Sequence, residues 1–329
     1  MRYDRWWMWM LALLGLALAG PAGAGPSGWQ PMAMVELVPA GDPGGGLDIH
    51  ARIIAEVFRK EKIPPQRFII NNMGGAGGNT ARAYLNQKRG DPHVLVVESN
   101  RAYLAELLGT TKLRLNKDFL PVSRLTADYI VWAVRKDSRF KTGKEILDAV
   151  KQNPASVSFG VGTVPSNDQF HIIRAVRSVG VGPTAVRITA FRAGGDLMAQ
   201  LLGGHVQVIS TGLSEAIAQH EAGEVRILAV TAPRRLSGNL ASIPTWRDQG
   251  LDLVIEHWRG IFAPPDIPKE ALAFWSDAFN RMRQAEYWEG LLRRYNLFDA
   301  YQPAEQFARS LEQEREQALA LLKDLGIVK

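Results

Sequence analysis

Four short glycine-rich turns carry most of the chemistry that this sequence offers. Pro39-Ala-Gly-Asp-Pro-Gly-Gly-Gly-Leu-Asp48 follows the apolar run Val35–Val38, and Asn71-Asn-Met-Gly-Gly-Ala-Gly-Gly-Asn79 follows Phe68–Ile70. Phe159-Gly-Val-Gly-Thr-Val-Pro-Ser-Asn-Asp168 and Phe191-Arg-Ala-Gly-Gly-Asp196 repeat the arrangement further along. In each, a strand-like run passes through glycine into a stretch with helical spacing. Backbone N–H groups in such a turn have no side chain in their way and lie at the positive end of a helix dipole, an arrangement that holds an anion. One such turn is accounted for by the steric needs of a strand-to-helix connection. Four in one chain point to a shared cleft, and to a ligand with carboxylate or phosphate groups. The first three turns lack a well-placed lysine or arginine, which counts against phosphate. Arg192, just after an aromatic at a strand end, is a candidate charged clamp, with a solvated surface role as the alternative. Asp48, an anion beside an anion site, is read as the cap of the helix after the first turn. Asp196 lies near the N-cap of the helix after the fourth.

Catalytic constellations do not emerge. Dinucleotide binding needs its glycines in a set spacing and an acidic residue about 20 positions later; glycines 41, 44, 45 and 46 lack the spacing, and the second strand ends in Asn71-Asn72. Thr142-Gly-Lys-Glu145 lacks the leading glycine and the hydroxyl residue of a phosphate-binding loop. No Gly-x-Ser-x-Gly elbow occurs. The six histidines, at 50, 93, 171, 205, 220 and 257, show no metal-ligand spacing, and the chain has no cysteine. Carboxylate pairs such as Glu312 and Glu316 read as a solvated helix face. No enzyme activity, cofactor or metal is expected.

The elements that must position these turns alternate. Apolar strand-like runs at Val94–Glu98, Ile130–Val134, Val157–Phe159, Val186–Thr189, Val206–Ile209 and Ile227–Val230 are separated by helical stretches. This is the pattern of α/β layers on mostly parallel sheets. Leu272, Trp275, Ala278, Phe279 and Met282 recur at helical spacing near the end, as do Phe307, Leu311, Ala318, Leu322 and Leu325. Two domains are expected at 329 residues.

Arg2 and Arg5, the apolar run Trp6–Ala19 and Ala22-Gly23-Ala24 have the layout of a secretory signal peptide over residues 1–24, with an uncleaved anchor as the alternative. No cysteine follows the apolar run, so a lipid-anchored form is excluded. Removing Arg2, Asp4 and Arg5 takes the formal charge from +6 to +5. No basic block with interleaved aromatics is present, which argues against nucleic acid. The expected location is the periplasm.

In order and spacing, a further set of segments makes the chain recognisable: Pro43-Gly-Gly-Gly-Leu-Asp48 with Ala51-Arg52, Asn72-Met-Gly-Gly-Ala-Gly-Gly78, Leu201-Leu-Gly-Gly-His-Val206 and Gly212-Leu-Ser-Glu215. Ala222-Gly-Glu-Val-Arg-Ile-Leu-Ala-Val-Thr231, Ile243-Pro-Thr245 and Trp258-Arg-Gly-Ile-Phe-Ala-Pro-Pro265 complete it. From about Val35 to the C-terminus the sequence resembles the extracytoplasmic substrate receptors of tripartite tricarboxylate transporters, the Bug family. The resemblance implies a two-lobed, hinge-closing periplasmic-binding-protein fold of the Venus-flytrap kind, type II-like, with the ligand cleft between the lobes. Lobe one would comprise residues 25–127 and 246–329, and lobe two residues 128–245. The implied function is to bind a small carboxylate (a di- or tricarboxylate, or an aromatic acid) and deliver it to the large and small subunits of a membrane permease. Reporting occupancy to a membrane sensor kinase is the alternative. A monomer is expected.

Carried over residue by residue, the resemblance places one ligand carboxylate on Gly44, Gly45, Gly46 and Asp48 of the first turn and on Gly75, Ala76 and Gly77 of the second. Gly162, Thr163, Ser166 and Asn167 would meet its other end. Ser210 and Thr211 stand where many relatives carry an Asp-Asn pair, a departure that argues against amino-acid ligands. Leu47, where the tricarboxylate-type branch commonly has an aromatic, and Val164-Pro165, in a loop usually made of small polar residues, are further departures. Arg259 is read as a tie between hinge segments and Trp258 as core.

Overall fold

The computed structural model describes residues 28–328 except 65, 66, 193 and 325, so the segment read as a signal peptide lies outside the described residues. The first lobe opens with β1 (Val35–Pro39), α1 (Gly46–Lys60), β2 (Phe68–Ile70), α2 (Asn79–Gln87), β3 (Val94–Ser99) and α3 (Arg101–Leu107). A long strand, β4 (Leu120–Arg135), carries the chain into the second lobe. That lobe holds α4 (Gly143–Gln152), β5 (Ser158–Val161), α5 (Asn167–Arg177), β6 (Arg187–Ala190), α6 (Gly194–Leu202), β7 (Val208–Gly212), α7 (Leu213–Glu221) and β8 (Val225–Val230). Strand β9 (Glu256–Ala263) returns to the first lobe, which α8 (Lys269–Arg283), α9 (Glu286–Tyr295), β10 (Phe298–Pro303) and α10 (Ala304–Asp324) complete.

Strand order is β2-β1-β3-β9-β4-β7-β5-β6, with β8 and β10 also paired to β4. The sheets are mixed rather than mostly parallel as the sequence pattern predicts. Pairs β1–β2, β1–β3, β5–β6 and β5–β7 are parallel, while β9, β10, β7 and β8 all run antiparallel to β4, and β9 antiparallel to β3. The reason lies in the crossings. One strand leaves the first lobe and another comes back, so the two meet head to tail, and only the βαβ units on either side keep parallel pairing.

The cores follow from periodicity. In α1, Leu47, Ala51, Ile54, Val57 and Phe58 face inward while Arg52, Arg59 and Lys60 stay exposed. Trp275, Ala278, Phe279 and Met282 of α8 and Phe307 and Leu311 of α10 join them in one core, together with Trp258. Alternate residues of β4 serve opposite faces of the second sheet: Trp132 and Val134 pack in one core, Val131 and Ala133 in another.

Trp246 and Leu253 sit in the second lobe's core, which therefore continues past residue 245, where the sequence reading ends that lobe. Leu120–Tyr129 of β4 lie opposite β9, whereas Ile130 pairs with Gly212 of β7, so the outward crossing falls at Tyr129–Ile130. Thr231 ties both crossings together. Its buried hydroxyl accepts from Ile130 N at 2.9 Å and donates to Ile255 O at 2.8 Å. Its own N–H donates to Ile130 O at 2.9 Å, and its carbonyl accepts from Ile255 N at 3.2 Å. The boundary was unreadable in the sequence because Trp246 and Leu253 are apolar in either lobe; contact alone assigns them.

Candidate functional site

The glycine turns converge. A cavity of about 90 Å³ lies between the lobes, lined by the N-terminal ends of α1 (Gly45, Gly46, Leu47), the turn leading into α2 (Gly74, Gly75, Gly78), the end of β3 (Ser99), the start of α3 (Arg101), and the starts of α5, α6 and α7.

Of the residues singled out from the sequence, Gly45, Gly46, Gly75, Gly162, Thr163, Ser166 and Arg192 line the cavity. Arg192 does so from an exposed position at its rim. The others lie outside the lining. Gly44 N donates to Asp48 Oδ2 at 2.9 Å, and Asp48 also accepts from Arg52 Nε. Burial pulls the Asp48 carboxyl up, but Arg52 and Gly44 outweigh it and hold the group below the usual range. It therefore braces the start of α1 from behind. Ala76 is exposed. Gly77 faces the other lobe, where an added Cβ would come within 2.9 Å of Val164 O. Asn167 bonds Asn100 across the cleft, outside the cavity. Ser210 Oγ pairs with His171 Nδ1 at 3.0 Å inside the second lobe, and Thr211 Oγ1 donates to Glu215. Both short side chains are consumed by neighbours, Ser210 by a residue 39 positions away and Thr211 by one only four positions on.

Several lining residues escaped sequence reasoning: Ser99, Arg101, Asp168, Glu215 and His257. Their positioning begins at Glu98, a buried carboxylate at the end of β3. It accepts from Arg82 Nε at 2.9 Å, from Ser99 N at 2.9 Å and from Arg101 Nε at 3.1 Å. These bonds fix the Arg101 guanidinium and leave Nη2 buried with no partner. Gly78 makes room for it: its φ is +89°, and a Cβ there would stand 2.8 Å from Arg101 Nη2. Ser99 Oγ, Asp168 Oδ1 and His257 Nδ1 are likewise buried without partners, all in this lining. Buried polar groups are ordinarily hydrogen-bonded, so four together mark a place built for a polar guest. The available signal was position. Ser99 and Arg101 follow the carboxyl end of a parallel strand, where open α/β sheets bind ligands.

The electrostatics are balanced rather than uniformly basic. Arg259 is 3% exposed, donates to His257 O at 2.7 Å and lies 3.6 Å from Asp128, itself fully buried. Burial raises the Asp128 carboxyl, with Arg259 and Ser214 opposing. Burial, then the nearby Glu215 and Asp128 charges, push Asp168 up to about 8 against Arg259 and Arg101. Asp168 is thus protonated at neutral pH and able to donate. His257 is held well below its ordinary value by burial and by Arg259, so its ring is neutral. Arg101, Ser99 and protonated Asp168 together offer an acid a cationic and two neutral donors, with the lobes excluding water around them.

A two-lobed α/β fold, crossed twice by the chain and holding a donor-lined cavity at the hinge, defines a periplasmic binding protein. The chain belongs to the family described as the tripartite tricarboxylate transporter family receptor, which matches residues 50–327. This is a family of binding receptors, not of enzymes. A UPF0065 protein of Cupriavidus necator is 26% identical over 302 residues, covering 91% of this chain and 89% of that one. The structure of the periplasmic binding protein BugD superposes with a TM-score of 0.83 at 20% identity, covering 91% of this chain and 99% of BugD. MatC from Rhodopseudomonas palustris with bound malate gives 0.79 at 24% identity, covering 90% and 99%. Among the described residues no helix is long and apolar enough to cross a membrane.

Proposed function

We propose that this receptor is exported to the periplasm, binds a small organic acid in the cavity between its lobes, and delivers it to the two membrane subunits of a tripartite permease. The observation that carries the reading is the set of unpartnered buried donors at Ser99 and Arg101, in a cavity also lined by glycine-rich helix N-termini. Family membership supports the permease as partner, and malate in the MatC structure shows that a relative's cleft takes such an acid. Closure follows from differential affinity: an acid that touches Ser99 and Arg101 on one lobe and Thr163 and Ser166 on the other binds the closed form best.

The test is a thermal-shift screen of residues 25–329 against C3–C6 carboxylates, aromatic acids, amino acids and phosphate esters, followed by calorimetric titration of any hit. A ligand well above its Kd raises the Tm by mass action. The expected result is a shift with carboxylates alone, abolished by Gly45→Val, which fills the lining. A shift with phosphate esters and none with carboxylates would overturn the reading.

A further inference from the structure

The anion site at the start of α1 is taken by the protein's own carboxylate. Gly46 N donates to Glu215 Oε1 at 2.7 Å, although Gly46 belongs to the first lobe and Glu215 to α7 of the second. Glu215 Oε2 accepts from Thr211 Oγ1. The start of α6 closes on the same carboxylate: a Cβ at Gly194 would stand 2.6 Å from Glu215 Cδ and 2.7–2.8 Å from both oxygens. A carboxylate seated at the N-termini of a 15-residue and a 9-residue helix is where a ligand's carboxylate was expected to lie. The unpartnered atoms of the cavity belong to Ser99, Arg101, Asp168 and His257, the first three of these residues nine-tenths buried or more.

We propose that Glu215 selects the ligand class: it fills the α1 amide site with a tethered carboxylate, so the cavity accepts a small monocarboxylate at Ser99, Arg101 and Asp168 and disfavours a second carboxylate at the other end. This rests on the acid-binding reading above. A second ligand carboxylate near Gly46 would lie against the Glu215 charge in a site shielded from water, where like charges repel strongly, and the Arg259 guanidinium beside Gly46 already faces Asp128 at 3.6 Å. Discrimination of this kind works by placing a repulsive group against the wrong ligand. The ligand end facing Glu215 is therefore apolar or carries a hydrogen-bond donor, such as a hydroxyl.

The experiment titrates lactate, butyrate and succinate into the wild-type receptor, Glu215→Ala and Glu215→Gln, with melting curves to show that each variant folds. In the wild type, lactate or butyrate should bind about tenfold or more tighter than succinate. Glu215→Ala, which frees the Gly46 amide and removes the charge, should move that ratio toward succinate by about tenfold or more, with Glu215→Gln in between because only the charge is lost. Gly194→Ala, whose methyl displaces the Glu215 carboxylate, provides a second variant with the same expected direction. Succinate binding tightest to the wild type, or a ratio unmoved by all three variants, overturns the selector role while leaving the acid receptor standing. Failure of lactate and butyrate to bind any form overturns the selector role, whereas the acid reading falls only if the wider carboxylate screen is also empty.

Discussion

Two cavities lie between the lobes, and the larger of them is the better satisfied. The larger, about 360 Å³, is lined by Asn100, Tyr103, Arg124, Arg174, Glu256 and Glu314 among others. Most of its charged groups have partners, although Arg124 Nε is buried without one. Arg124 Nη1 bonds Glu314 Oε1 at 2.9 Å, Nη2 meets Glu256, and Trp258 Nε1 donates to the second Glu314 oxygen at 2.6 Å. Arg174 Nη1 donates to Val254 O at 3.1 Å. The smaller cavity, about 90 Å³, leaves Arg101 Nη2, Ser99 Oγ and Asp168 Oδ1 open. Volume alone therefore does not mark the binding site. Paired charges across a hinge hold two segments in register, whereas unpaired buried donors await a partner from outside.

If that contrast is right, the largest difference between the cavities should appear in pH dependence. Asp168 is protonated when folded, up to about pH 8, but ionises near pH 4 when unfolded. Between those values the folded chain binds the extra proton, so wild-type stability falls as pH rises from about 4 to about 8 and then levels off. Asp168→Asn should remove that slope and stabilise the protein at pH 8 by on the order of a few kcal/mol, with no gain near pH 4. Urea melts at several pH values check this, and parallel slopes for both proteins would place the Asp168 carboxyl in a solvated setting.

The contrast is sharpened by exchanging arginines. Arg101→Gln should weaken acid binding by about 10–100-fold, because a charge-assisted hydrogen bond contributes ~1.5–3 kcal/mol. Calorimetry reads this directly, and unchanged affinity would remove Arg101 from the site. Arg124→Met is the counterpart and the smallest effect. It should lower stability by about 1–2 kcal/mol, since its partners Glu256 and Glu314 retain access to water. Ligand affinity should stay within about twofold, and a large loss of affinity would show that the two cavities are not separate in role.

Relations between neighbours along the chain were legible, and those between distant segments were not. The strand–glycine–helix order of all four turns is visible because backbone conformation and apolar spacing are local properties. The inward faces of α8 and α10 could be read for the same reason. From the sequence Asp48 reads as the cap of α1; the N-cap is Gly45, and Asp48 instead holds the first turn from within it through Gly44 and Arg52, four residues away on either side. By contrast, Glu215 and Gly46 are separated by 169 positions, and Asn100 and Asn167 by 67. No spacing rule connects them.

By itself, then, the sequence determined the alternating elements, the amide-rich turns and the resemblance to an acid receptor. Only the tertiary structure decided which groups those turns face. It put a native carboxylate on the first turn, buried Ser210 against His171 and left Arg101 with an open donor. The physical reason is that a hydrogen-bonding group is defined by what remains unpaired after packing. That remainder depends on contacts across two lobes, which are set only when the chain crosses the hinge a second time.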